Sequence, residues 1–273
     1  MKKIVCFIML LFFSLASCQN KKEEVKKVKS EELIIKSSSL SDEISHRAIR
    51  EYNITGNVTK VFYVTKDKNK KELDLKYEYQ YNLDNKASKI ITYSNSKVAY
   101  EQTYNYKDSK LILEQLFLYP NGKPDLNSYT NLEYIDNKII EKTYLIDSIS
   151  KNYNLSTIKT KLFDEFKNLR ELQISNPKDE ITYKKEYQYD NKNLLIKETS
   201  SIGAVTEYSY DYNDNIIKEL INTGYYINVT EYVYKYDKYN NWIERIQRNF
   251  YNFKENKKID SEEISIKKVE YFD

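Results

Sequence analysis

The sequence predicts an all-β protein in which antiparallel hairpin repeats stack into an elongated twisted sheet or a β-solenoid-like array. Three observations predict it. Aromatic residues alternate with polar ones over short runs, as in Tyr77-Glu78-Tyr79-Gln80-Tyr81 and Tyr232-Val233-Tyr234-Lys235-Tyr236. A period of two over four to six residues is the pattern of a half-buried strand. Gly and Pro are scarce, with 4 and 3 in 273 residues, so turns must rest on Asn and Asp, which tolerate left-handed backbone. The same strand–turn–strand unit recurs, with an aromatic ending its first strand at Tyr81, Tyr106, Tyr134, Phe163, Tyr189, Tyr210 and Tyr236.

The chain begins with a positive pair, Lys2 and Lys3, and a ten-residue apolar run from Ile4 to Phe13. That run is half the length of a membrane-spanning helix and suits a signal-peptide core. Leu15-Ala16-Ser17-Cys18 follows and resembles a lipobox. The resemblance implies cleavage of residues 1–17, a diacylglycerol thioether on Cys18 and acylation of its freed amine. Two or three acyl chains anchor stably, because each buried CH₂ contributes about 0.8 kcal/mol. Gln19 follows the cysteine where inner-membrane retention signals place Asp, which favours the outer membrane. Lys21-Lys22-Glu23-Glu24 resembles the lysine-plus-acids export signal of surface lipoproteins in one phylum of Gram-negative bacteria, so cell-surface exposure is expected. Cys6 leaves with the leader and Cys18 becomes a thioether, so the mature chain is expected to hold no free thiol and no disulfide.

Residues 18–50 are rich in Lys, Glu and Ser and read as a flexible lipidated tether, with a short helix predicted over 41–50 from Ser41, Asp42, Glu43, Ile44 and Ala48. Residues 51–273 form the β-repeat domain. Ile54 to Val64 is expected to open the array and 264–272 to close it, the two together protecting its edges.

Each unit reads as a hairpin. Asp at the first loop position accepts backbone N–H groups, and Asn85, Asn193, Asp214 and Asn240 suit a left-handed fourth position. Lys110 and Lys167 stand where such a turn residue is expected and fit it less well. The run Tyr234-Lys235-Tyr236-Asp237-Lys238-Tyr239-Asn240-Asn241-Trp242-Ile243 resembles the tyrosine-aspartate (YD) repeat of RHS-type proteins, strongly over 183–246, moderately over 75–118 and weakly over 129–175. That resemblance implies architecture and no catalytic residue. Large relatives wind such repeats into a hollow shell around a toxin; about seven copies are expected to be too few to enclose anything.

Composition excludes several functions. With 44 basic residues, two of them in the leader, against 41 acidic ones, the mature chain is nearly neutral, and nucleic-acid binding is not expected. One His and two Cys exclude zinc fingers, disulfide scaffolds and most His-dependent catalysis. His46 sits in the predicted tether and reads as a surface residue. Asp211-x-Asn213-x-Asn215 resembles the start of a calcium loop, but Ile216 and Asn222 stand where an EF-hand has Gly and Glu, and the turn already explains the spacing. Glu114, Glu171, Glu198, Glu219 and Glu244 recur after the second strand of their units and read as a solvated face, not a catalytic pair. Asp147-Ser148-Ile149 resembles an O-glycosylation acceptor, and the Asn-x-Ser/Thr matches at Asn53, Asn57, Asn154 and Asn228 carry no meaning in a bacterial chain. Trp242 is expected to pack against the terminal strand.

The expectation is therefore a non-catalytic outer-membrane lipoprotein without cofactor or metal. It is held to the membrane through Cys18 and contacts a glycan or an envelope protein through a tyrosine-rich sheet face. Tyr79, Tyr187, Tyr208, Tyr232 and Tyr234 are the candidate binding residues. The alternatives are an accessory subunit of an envelope secretion or nutrient-uptake assembly and, from another class, a glycan hydrolase.

Overall fold

The computed structural model describes residues 28–37, 44–67, 70–147, 149–251 and 261–271. The predicted leader, Cys18 and the export signal lie outside them. So does Ser148, the central residue of the glycosylation match.

Among the described residues, eighteen strands follow one another in an antiparallel meander. They are β1 (Val28–Ser37), β2 (Ile44–Tyr52), β3 (Val58–Asp67), β4 (Lys70–Tyr81), β5 (Ala87–Ser94), β6 (Lys97–Lys107), β7 (Lys110–Leu118), β8 (Asp125–Ile135) and β9 (Lys138–Ile146). The second half runs β10 (Tyr153–Phe163), β11 (Leu169–Ser175), β12 (Ile181–Tyr189), β13 (Leu195–Ser200), β14 (Val205–Tyr210), β15 (Ile216–Asn222), β16 (Ile227–Tyr236), β17 (Trp242–Tyr251) and β18 (Ser261–Tyr271). Each strand pairs with its neighbours in sequence, and β1 pairs on one side with β2 and on the other with β18, Ile34 opposite both Arg47 and Ile266. The sheet therefore closes on itself.

Closure corrects the expectation of an elongated open or solenoid-like array, and with it the expectation that so few repeats enclose nothing. Eighteen strands at about 4.8 Å spacing make a circumference of about 86 Å across the strands, far beyond the roughly eight strands whose side chains fill a barrel. Among the described residues the buried apolar side chains are Ile34, Ile35, Val61, Val229 and Phe250, all on the strands that flank the closure. Buried Thr92, Glu198, Ser200, Thr230 and Ser265 stand on the inward face instead of an apolar core. The interior is a polar lumen.

The residues that close the ring lie where the sequence predicts a tether. β1 and β2 occupy 28–37 and 44–52, so the predicted helix at 41–50 is a strand from Ile44 onward. Ile44 and Ala48 stand four apart, a helical spacing. In the ladder, however, Ala48 and Arg50 face Tyr63 and Val61 with period two. Pairing with β1 and β3 overrides the local pattern. His46 falls within β2, opposite Ile35. The predicted end strands do not end the sheet either: 58–67 is the third strand, and β18 has partners on both sides.

The repeat itself matches. Every predicted anchor aromatic is at or next to the last residue of an even-numbered strand, from Tyr81 in β4 to Tyr236 in β16. The beat is one hairpin per unit, with the polar turns gathered at one rim. Asn85, Asn193, Asp214 and Asn240 have φ of 56°, 63°, 61° and 65°, the left-handed turn position. Asp190 Oδ1 accepts from Lys192 N at 2.8 Å and Leu194 N at 2.9 Å, and Asp211 and Asp237 repeat the arrangement. Lys167 also takes a left-handed φ, 66°, because the Asp164 turn holds it there. Lys110 opens β7 instead, after a tight turn with Asp108 and Ser109 both at positive φ.

The anchor tyrosine has a mechanical role the spacing alone does not disclose. Its hydroxyl donates to the backbone at the start of the odd strand in the preceding hairpin: Tyr81 to Val58 O at 2.6 Å, Tyr106 to Ala87 O at 2.8 Å, Tyr189 to Leu169 O at 2.9 Å and Tyr210 to Leu195 O at 2.6 Å. Each latch ties one hairpin to the one before it and contributes about 1 kcal/mol net. Phe163 has no hydroxyl, and there Asn137 bridges the strands, its Nδ2 donating to Phe163 O at 2.9 Å.

Candidate functional site

Following the ladder registers around the ring puts one set of side chains on a single face, and the burial of Thr92, Glu198, Thr230 and Ser265 there, against exposed Glu133, Glu186 and Lys235 on the other face, makes it the lumen. Tyr77 and Tyr79 on β4 face inward with Thr92 and Ile90 of β5, then Tyr100 and Gln102 of β6, and the set continues strand by strand back to Val61 of β3. All five candidate residues belong to it. Tyr187 stands opposite Glu198, Tyr208 opposite Glu219, Tyr232 opposite Gln247 and Tyr234 opposite Arg245. Four of them share the wall from β12 to β16, while Tyr79 lies apart on β4.

The tyrosine face is therefore a lumen lining, not an exposed sheet surface. Burial pushes the phenols of Tyr79, Tyr187 and Tyr208 up, and those of Tyr232 and Tyr234 up to about 12. These hydroxyls are neutral donors and acceptors at any physiological pH. Along β16 the rings of Tyr232, Tyr234 and Tyr236 form a ladder with centroids 6.4 and 6.1 Å apart.

The recurrent glutamates divide between the two faces, which corrects their reading as one solvated face. Glu198 and Glu219 follow Tyr189 and Tyr210 by nine residues and point inward; Glu171 and Glu244 follow Phe163 and Tyr236 by eight and point outward. One residue of offset exchanges the faces. Glu114 follows Tyr106 by eight residues yet points inward, opposite Tyr104, because its turn is one residue shorter: Tyr106 pairs with Leu111, five residues on, where Phe163 and Tyr189 pair six residues on. Burial, and then the nearby Glu198 charge, raise the Glu219 carboxyl against the opposing effect of Lys185. Lys185 bonds Glu198 directly. Glu114 is raised by burial and by Glu141, which itself pairs with Lys161 and, at 3.4 Å, with Lys159. The same acid–acid–lysine grouping thus occurs twice, the signature of a repeated wall element.

A raised folded-state carboxyl contributes stability that is full below its unfolded value and is lost as pH rises through the folded one. Glu219→Gln removes a buried charge at neutral pH. We expect its melting temperature at pH 7 to exceed the parent's by about 2–4 °C for each kcal/mol relieved, the gap closing below about pH 4.5. Calorimetry across pH checks this, and a gap that widens on acidification would contradict the inward assignment.

At the closure of the ring the lumen wall gathers, around Trp242 and Tyr232, cations that nothing in the sequence singles out. Arg50 of β2 and Lys267 of β18 both meet Glu31 of β1, the lysine at 3.5 Å. Burial lowers Lys267 despite Glu31; for Arg50, burial is outweighed by Glu31 and Tyr52, and the guanidinium is raised. Lys267 Nζ lies 3.7 Å from the centroid of Trp242, so Trp242 does pack against the terminal strand, from inside. The Arg245 guanidinium sits 5.6 Å from Tyr232 and 5.7 Å from Trp242.

The calcium-like run is a hairpin turn. Asp211 Oδ1 accepts from the Asn213 and Asn215 amides and Oδ2 from the Tyr236 hydroxyl at 2.6 Å. Among the described residues no group of three or more His, Cys, Asp and Glu side chains converges as a metal site would require.

The outward face bears charges in mid-strand around most of the wall. Lys142 pairs with Glu133 at 3.0 Å, Lys184 with Glu171 at 3.0 Å and Glu186 at 2.9 Å, Lys235 with Glu244 at 2.7 Å, and Arg248 with Glu262 at 2.7 Å. One outward cluster is aromatic: Tyr129 stacks on Tyr144 at 4.8 Å and meets Tyr153 at 5.4 Å.

No family model matches the chain, and no curated protein matches it. Among solved structures, a Bacteroides fragilis protein of unknown function is similar over 46% of this chain and 94% of its own, at 16% identity and a TM-score of 0.32. A porin-like protein from Bacteroides uniformis is similar over 89% of this chain and 98% of its own, at 11% identity and a TM-score of 0.39. Another from Bacteroides vulgatus covers 90% of this chain and 99% of its own, at 13% and 0.34. At these scores the likenesses carry no argument about this chain, and its own wall decides the next point. A bilayer-spanning barrel needs an outward apolar band about 25 Å tall between aromatic girdles, and a Lys or Arg at the midplane costs about 2–4 kcal/mol. The repeated outward ion pairs interrupt any such band.

Proposed function

We propose that the protein is a non-catalytic outer-membrane lipoprotein, anchored through Cys18, whose barrel stands in the aqueous phase and binds a glycan chain within its lumen. The closure of the ring carries this reading: it turns Tyr187, Tyr208, Tyr232 and Tyr234 inward onto one wall of an interior that no apolar core fills. Tyrosine supplies flat, rigid contact area and a hydroxyl at low entropic cost, which suits sugar rings. The repeat is that of a short relative of the tyrosine-aspartate family. A peptide segment is the competing occupant.

Affinity electrophoresis through gels loaded with soluble neutral polysaccharides tests the lumen. Tyr208→Ala and Tyr232→Ala are expected to weaken retardation about tenfold each, as truncated aromatic anchors do. Gln80→Ala, on the outward face, is expected to leave it unchanged. Retardation lost only with outward substitutions would contradict the proposal. For the anchor, Cys18→Ser is expected to release the protein from the membrane fraction, and protease shaving of intact cells to release the parent.

A further inference from the structure

We propose that the wall at the closure of the ring is an anion-selecting subsite, so that the glycan the lumen takes is an acidic one bearing carboxylate or sulfate groups. This rests on the lumenal glycan reading and goes beyond it by naming the chemical class.

Three cations, Arg50, Arg245 and Lys267, project into the same stretch of lumen from β2, β17 and β18. Two carboxylates answer them. Glu31 serves both Arg50 and Lys267, and Glu263 lies 3.7 Å from Arg245. Among the described residues the group carries one uncompensated positive charge inside a polar enclosure, where a charge acts more strongly than in bulk water. Arg245 is also under-used. Its NH2 reaches Ser265 Oγ at 3.3 Å, while its Nε is buried without a hydrogen-bond partner. The side chain as a whole stays a quarter exposed, and Arg is suited to an oxyanion by its fixed fork of donors.

The aromatic surroundings point to a sugar as the carrier of that charge. Tyr232, Tyr234 and Trp242 flank Arg245, and the tyrosine ladder of β16 runs from this spot along the strand toward Tyr236. A ring would lie against the ladder while its acidic substituent met Arg245 and Lys267. A polypeptide would gain from the cations but has less use for a row of flat faces. The adjoining strands provide the contrast: among the described residues, the inward charges from β12 to β15 are Lys185 against Glu198 and Glu219, a negative excess. Selection is thus local to the closure.

The test uses the full-length purified chain with two probes that share a backbone: polygalacturonate and its fully methyl-esterified, neutral form. Binding is read by titration calorimetry at two salt concentrations. Polygalacturonate is expected to bind about tenfold or more tightly than the ester, as one added charge-assisted contact would give, and to weaken with salt. Arg245→Gln and, separately, Lys267→Gln are expected to bring the acidic polymer down to the affinity of the ester and leave the ester unchanged. Glu263→Gln is expected to tighten the acidic polymer. Thermal melts of each variant establish that the barrel is intact, and using two independent cation variants keeps the test open if one fails to fold. Equal binding of both polymers would overturn the anionic subsite while leaving the lumenal glycan reading intact. An acidic preference that survives both cation variants would overturn the location. Binding of neither polymer, with retention of an acidic peptide instead, would overturn both readings.

Discussion

Deleting Ser261–Asp273 is expected to abolish the folded barrel. The deletion removes β18, which lies opposite β17 from Asn249 to Glu244 and opposite β1 from Ser37 to Val28. Antiparallel pairing supplies one hydrogen bond per opposed pair on average, so about 15 ladder bonds vanish, each contributing about 1 kcal/mol. That equals or exceeds the 5–15 kcal/mol by which a domain of ordinary stability is folded. The loss also falls where the apolar burial is concentrated, since Ile34, Ile35, Val229 and Phe250 all lie on strands within two of β18. Two uncapped edges result, on β17 and β1, and exposed edges pair with other chains. Size-exclusion chromatography should show the monomer replaced by aggregate, with no cooperative melt. Removing only Phe272 and Asp273 should change neither. A deletion variant that remains a monomer with a melt near the parent's would mean the ring does not depend on its last strand.

Asp211→Ala is expected to be among the most damaging single substitutions at the polar rim, together with Asp237→Ala, whose carboxylate takes the Tyr239 and Asn241 amides and the Tyr271 hydroxyl in the same way. The Asp211 carboxylate holds the Asn213 amide at 2.8 Å, the Asn215 amide at 2.9 Å and the Tyr236 hydroxyl at 2.6 Å, the last from the next hairpin. Hydrogen bonds to a charged group contribute about 1.5–3 kcal/mol each, less where water can replace them. A loss of about 3 kcal/mol is expected, lowering the melting temperature by about 6–12 °C for a domain of this size. Asp190→Ala removes two backbone bonds and no tyrosine bond, so a smaller fall is expected there. Tyr236→Phe should cost less once Asp211 is Ala, because the two residues share one interaction, leaving only the bond the Tyr236 hydroxyl accepts from Asn215 Nδ2 at 2.8 Å. Equal effects at Asp190 and Asp211 would show that the Asp211–Tyr236 bond adds nothing to the turn it caps.

Much of the repeating unit was legible in the sequence because it is local. An aspartate that folds its side chain onto the amides two and four residues ahead, and an asparagine at positive φ three residues after it, need no distant partner. Strand ends at Tyr81, Tyr189 and Tyr236 followed from that turn. What the sequence did not disclose is relational. Nothing within a unit says whether the first and last strands meet, and β1 carries no aromatic to mark it as part of the array. The strand pattern of 44–52 was obscured by Ile44 and Ala48 at helical spacing, and pairing with β1 and β3 settles it.

The candidate site shows the same division. Period two identifies two faces but not which is inside, so the inward set of Tyr79, Tyr187, Tyr208, Tyr232 and Tyr234 could be grouped before its surroundings were known. Glu171 and Glu198 look equivalent in sequence and lie on opposite faces because their distance from the anchor differs by one residue. Arg50, Arg245 and Lys267 are 3 of 44 basic residues, 217 positions apart at the extremes, and only closure of the ring makes them neighbours.

The central claim is that closure, and a direct measurement is a disulfide across it. Ile34 of β1 and Ile266 of β18 are opposed in register, within the spacing a cross-strand disulfide can span. In a chain whose Cys18 is Ser, the pair Ile34→Cys and Ile266→Cys should oxidise to a single intramolecular bond, visible as a loss of two thiols and faster migration on a non-reducing gel. The pair Ile246→Cys and Ile264→Cys, opposed in the neighbouring hairpin, serves as the positive control. Cross-linking at both pairs is the result a closed ring requires. Cross-linking at the hairpin pair alone, with residues 34 and 266 left as free thiols, would contradict it.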